Sequence, residues 1–202
     1  MPELKNNYAI LAEESRRLFC SHDQEAMAAR LGIEMTEKEI PIRYLGNQYR
    51  VERADGRVLD EAGSTAGFGA TLAIYDLLCR EDRPAPVLSG EFVPTTSLHG
   101  IYSSHSVHEG LTDTEAQAFV GHSQALESAL IACGGRQWGK GDVSYIIDVF
   151  DCFPVCVRFW DADEEFPASL QFLWDANALD FLYYETLWYV IGDLIEQLTK
   201  AL

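Results

Sequence analysis

The stretch that decides the fold is Ser144–Trp174, "SYIIDVFDCFPVCVRFWDADEEFPASLQFLW". Residues 144–150, 155–160 and 168–174 are short runs rich in β-branched and aromatic side chains, the composition of strands. Much of their length is apolar on both faces, which suits strands covered on each side. Asp151–Pro154 and Asp161–Glu165 are polar connections too short for a crossover helix, so the three strands form an antiparallel meander.

A second meander is expected in "KEIPIRYLGNQYRVERADGRVLDE", residues 38–61. Gly46-Asn47 reads as its two-residue turn, since both residues tolerate positive φ. That register sets Arg43 opposite Arg50, Tyr44 opposite Tyr49 and Ile42 opposite Val51, with the arginines on one face and the apolar pairs on the other. Asp55-Gly56 turns the chain into a third strand around Arg57–Leu59.

Helices fill the rest. Leu4, Tyr8, Leu11, Ala12, Leu18 and Phe19 recur at helical spacing in the first segment. Ser21, with Gln24 three residues on, reads as the cap of a short second helix that stops at Gly32. Residues 66–80 form a third helix, ended by the prolines of "EDRPAP". Residues 112–134 read as one helix capped by Thr112 and Gly134. The last, 182–202, has Asp180 as its cap and Trp188 in its buried stripe. The expected class is therefore α+β: a mainly antiparallel sheet built from two three-strand meanders, packed with about four main helices. A single domain is expected over 1–202, opened by a helical segment at 1–32.

The bulk numbers bound the function. The chain has 202 residues, 48% hydrophobic and 23% charged, which is the composition of a globular domain. Its net charge of −17 comes from 15 basic and 32 acidic residues. Such a field repels nucleic acid and anionic membrane surfaces, so neither is an expected partner. The N-terminus has charges throughout and no apolar core of a signal peptide, and no run is long enough to span a bilayer. Five scattered cysteines suit a reducing compartment, and the cytoplasm is the expected location.

The final third resembles the family called domain of unknown function 3786. The resemblance rests on Gly134-Gly135, Gly141-Asp142, "FWDADEEFPAS" and "FLWDANALDFL", and extends from about residue 40 to the C-terminus. The family usually carries phenylalanine where this chain has Trp174, and a proline near Tyr183. The resemblance implies a cytoplasmic protein of anaerobes, some relatives being fused to iron–sulfur or corrinoid-associated domains. It supplies no catalytic residues.

Candidate sites read mostly as structure. Cys152 and Cys156 are the nearest approach to a redox pair, but three residues separate them and neither opens a helix, so no redox site is expected. Asp161, Asp163, Glu164 and Glu165 fit no calcium loop and read as a solvated acidic turn. No metal is expected; His105 and His108 come closest to a ligand pair, with no third donor. No nucleophile elbow, phosphate loop or cofactor motif is present, and no cofactor is expected. Arg43, Arg50 and the nearby Arg57 are the candidates for binding a protein partner or a small anion, since a guanidinium fork suits carboxylates and phosphates. The sequence thus points to a non-catalytic binding or accessory module for cytoplasmic enzymes of anaerobic metabolism. Its rival is an enzyme with an unfamiliar acidic and histidine site around 99–108 and 161–165.

Overall fold

The structure is a computed structural model and describes residues 2–80, 83–99 and 111–202. The fold is α+β, with two antiparallel sheets. By its contacts the chain divides into two compact units, Met1–Val87 with Asp180–Val190, and Leu88–Leu179 with Ile191–Leu202.

The first unit opens with α1 (Pro2–Ser21) and α2 (Gln24–Leu31). Asp23, rather than Ser21, caps α2: its carboxylate accepts the Ala26 N–H at 3.0 Å. The Ser21 hydroxyl instead donates back to the Leu18 carbonyl in the last turn of α1. Gly32 ends α2 at φ 67°, as expected. Three strands follow in the order β1 (Glu39–Tyr44), β2 (Asn47–Glu52) and β3 (Val58–Asp60).

The hairpin turn lies one residue earlier than the sequence suggests. Leu45 and Gly46 form it, at φ 48° and 80°. Leu45 is 3% exposed, so burial of its side chain offsets the cost of the left-handed conformation, about 1–2 kcal/mol. Arg43 consequently faces Gln48 and Arg50 faces Pro41, not each other. The shift keeps the alternation, and Ile40, Ile42, Tyr44 and Val51 still share the buried face. Helix α3 (Phe68–Cys79) packs on this unit with Leu72, Ala73, Ile74, Tyr75, Leu77 and Leu78 buried. Arg30 of α2 donates to the Leu77 carbonyl at 2.5 Å, placing a cation at the negative end of α3.

The second unit is a five-stranded sheet in the order β4 (Phe92–Pro94), β8 (Ser169–Asp175), β7 (Phe153–Trp160), β6 (Val143–Phe150) and β5 (Arg136–Gln137). The expected meander is its centre, and two short edge strands extend it. Val143, Tyr145, Ile147, Val155, Val157, Phe159, Leu170, Phe172 and Trp174 fill one face.

The helix expected over 112–134 is two helices. It starts at Leu111, so Thr112 lies inside α4 (Leu111–Ala116) rather than capping it. A turn of 3₁₀ helix follows, and Gly121, at φ 71°, breaks the chain before α5 (Ser123–Ala132). The last helix is divided too. Asp180 lies within a single turn, α6 (Ala178–Phe181), and α7 runs Tyr184–Thr199. Trp188 on α7 is half-buried, its ring edge-on to Tyr184 at 6.3 Å; the fully buried tryptophan is Trp174.

Candidate functional site

The first unit contains a cavity of about 350 Å³. Leu11, Ser15 and Leu18 of α1 line it at spacings of four and three, one stripe of a helix. Leu72, Tyr75, Asp76 and Cys79 of α3 form a second stripe, and Tyr183, Glu185, Thr186 and Tyr189 complete the wall. The floor is buried, with Leu72, Tyr75, Asp76 and Thr186 each exposed by 9% or less. The rim is open: Leu11 is 40% exposed, Leu18 48% and Tyr183 53%.

Its polar groups are used in building the unit. Asp76 accepts the Tyr183 N–H at 2.6 Å, which fixes the start of α7 against α3. The Tyr75 hydroxyl donates to the Gly56 carbonyl, and burial pushes its pKa up, so it remains a neutral donor. Tyr8, Phe68 and Tyr189 make a chain of rings at 4.6 and 5.3 Å beside the cavity. What remains is an apolar recess with carboxylates at its floor and rim.

The arginines of the first sheet have partners. Arg50 lies 3.6 Å from Glu39 and donates to the Asp60 carbonyl at 3.0 Å. Arg57 pairs with Glu52 at 2.5 Å and Asp55 at 2.8 Å. Arg43 is half-buried and likewise has a partner within the chain. An incoming anion would have to displace Glu39, Glu52 or Asp55.

The acidic turn is built from its own hydrogen bonds. Asp163 accepts the N–H groups of Glu165 and Phe166 at 2.8 and 2.7 Å. Asp161 accepts the Gly121 N–H at 3.0 Å, the Ala162 N–H at 2.8 Å and the Ser123 hydroxyl at 3.1 Å. Burial alone would raise its pKa, but these donors and His122 outweigh burial and hold it below 3.8. A depressed carboxylate stabilises the fold above its ordinary pKa and stops doing so as pH falls through the depressed value. Asp161→Ala is therefore expected to cost about 1–2 kcal/mol at pH 7 by urea unfolding. The gap from wild type should narrow as pH is lowered below 3.8; a gap that is constant with pH would contradict this account.

The remaining candidates are dispersed. His99 meets the Asn177 side chain at 3.1 Å, while His105 and His108 lie outside the described residues. Among the described residues, no three His, Cys, Asp or Glu side chains gather where they could hold a metal ion. All five cysteines are free thiols. Cys152 is half-buried in the β6–β7 turn; Cys156 is fully buried in β7, and burial pushes its thiol pKa up. Such a thiol is a poor nucleophile.

Sequence reasoning placed five of the eleven cavity residues, Leu11, Leu18, Leu72, Tyr75 and Cys79, in helical stripes and read those stripes as core. The signal was the width of the α1 stripe: Tyr8, Ile10, Leu11 and Leu18 are too many for one packed face, and all are at least 40% exposed.

A family model described as domain of unknown function (DUF3786) matches residues 23–197, and the chain belongs to this family. Neither a curated protein nor a solved structure matches it. Helix α1 precedes the matched span, so Leu11, Ser15 and Leu18 are a wall of the cavity that the family model does not include.

Proposed function

We propose that this chain is a non-catalytic binding or accessory module that works beside cytoplasmic enzymes of anaerobic metabolism and takes apolar anchor side chains of such a partner into the cavity of its first unit. The observation that carries the reading is the cavity together with its surroundings. Its volume suits a few side chains, and Tyr8, on the same side of α1 one turn before Leu11, is 42% exposed. Contiguous exposed apolar surface next to a recess is the arrangement that receives an amphipathic segment. The charge of −17 disfavours nucleic acid as the partner, and no helix among the described residues is long and apolar enough to cross a membrane. The anaerobic and cytoplasmic setting comes from the family resemblance and the free cysteines.

The test is affinity capture from the native host with wild type and with Leu11→Arg/Leu18→Arg, both exposed positions that leave the core untouched. Wild type should retain one protein in stoichiometric amount, and the variant should lose it with an unchanged circular dichroism spectrum. Equal retention by both would reject the cavity as the contact.

A further inference from the structure

The second unit carries only four basic side chains, and three of them, Arg136, Lys140 and Arg158, lie between the start of β5 and the end of β7. Arg136 is committed to Asp148 through two hydrogen bonds of 3.1 and 2.9 Å. Lys140 is exposed in the β5–β6 connection. Neither Lys140 nor Arg158 has an ion pair with any described residue, and the Arg158 Nε is buried with no hydrogen-bond partner among those residues. In a chain with 32 acidic residues, a half-buried guanidinium with no carboxylate partner among the described residues is the exception.

Arg158 is nevertheless held. Its Cζ lies 5.7 Å from the Trp138 ring centre and 5.5 Å from that of Trp160, so two indoles flank the cation. Sheet register produces this. Arg158 pairs across to Ser144, whose carbonyl accepts the Trp138 N–H at 2.9 Å, and Trp160 is the next residue along β7 on the same face. Phe92 backs Trp138 at 5.1 Å. Two glycines leave room for the guanidinium: a Cβ on Gly139 would stand 3.1 Å from Nη2, and one on Gly141 3.2 Å from Cγ. The arginine is thus positioned by packing while its donors remain unused by acceptors among the described residues.

We propose that Arg158, flanked by Trp138 and Trp160 and assisted by Lys140, is a binding site for a small organic carboxylate. A planar fork matches a carboxylate in bidentate geometry. A carboxylate with one charge also meets less repulsion from the acidic chain than a phosphate dianion does. This site lies in the second unit and is independent of the apolar cavity.

The site contains its own reporters, the indole N–H groups of Trp138 and Trp160. Acetate and butyrate are titrated at constant ionic strength, with chloride as the control salt, and the tryptophan indole resonances are followed by ¹H–¹⁵N NMR. Both carboxylates should shift the Trp138 and Trp160 signals saturably while leaving Trp174 unmoved, and chloride should not. Arg158→Gln should abolish the saturable shift. Lys140→Gln, at an exposed position that keeps the fold, should weaken binding several-fold, so the proposal stays testable if the arginine variant fails to fold. Absence of saturation, or shifts unchanged in Lys140→Gln and Arg158→Gln, would overturn it. So would inorganic phosphate at pH 7 binding as tightly as acetate.

Discussion

Trp174→Ala is expected to lower folding stability by about 3–5 kcal/mol, read as a fall in the urea midpoint with little change in slope. Trp174 is on β8, between β4 and β7, and is 0% exposed. Its ring stacks on Phe153 at 5.5 Å and 13°, and Phe153 is itself fully buried. Alanine would leave a cavity on the packed face of the sheet. The indole N–H has no hydrogen-bond partner among the described residues, so tryptophan here carries the cost of one donor they leave unsatisfied. Trp174→Phe removes that donor and keeps a ring against Phe153, so its cost should stay below about 1.5 kcal/mol. Comparable losses in the two variants would show that ring packing is not what holds this corner.

The second large effect is expected at the end of α5. Gly135→Ala should cost about 3 kcal/mol, the upper part of the range for overpacking. A Cβ at Gly135 would stand 2.5 Å from the Leu130 carbonyl oxygen and 3.0 Å from its carbon. Both atoms are backbone in the helix's last turns, and that oxygen also accepts the Gly135 N–H at 2.8 Å. Relief would break the bond that leads the chain into β5. Gly134→Ala is the internal control: its φ is 80°, but nothing lies within 4 Å of the new methyl. It should show backbone strain alone, about 1–2 kcal/mol. A control that costs more than Gly135→Ala would show that crowding against Leu130 is not what makes the glycine necessary.

Alternation and turn residues made both meanders legible, because those signals lie within each strand. The hairpin register was misread because Gly46-Asn47 is the better pair of turn formers, and only burial of Leu45 draws the turn back by one residue. The break at Gly121 was hidden because glycine inside an apolar helical pattern is often tolerated. Strands β4 and β5 are three and two residues long, too short to show a period. The Arg158 site illustrates the wider limit. Trp138 and Arg158 are twenty residues apart in sequence and meet only through the pairing of β6 with its two neighbours. Its one local trace was the gathering of three cations between residues 136 and 158 in an otherwise acidic half.

The division of the chain has a consequence for its synthesis. Helix α3 emerges early, but the Tyr183 amide that meets Asp76 and the Tyr189 ring that meets Phe68 belong to Asp180–Val190. The ribosome must first deliver all of Leu88–Leu179. At roughly 5–20 residues per second that is a delay of roughly 5–20 s. Throughout it, Leu72 and Phe68 lack their last covering segment, and the nascent first half presents apolar surface to whatever chaperone waits at the exit tunnel.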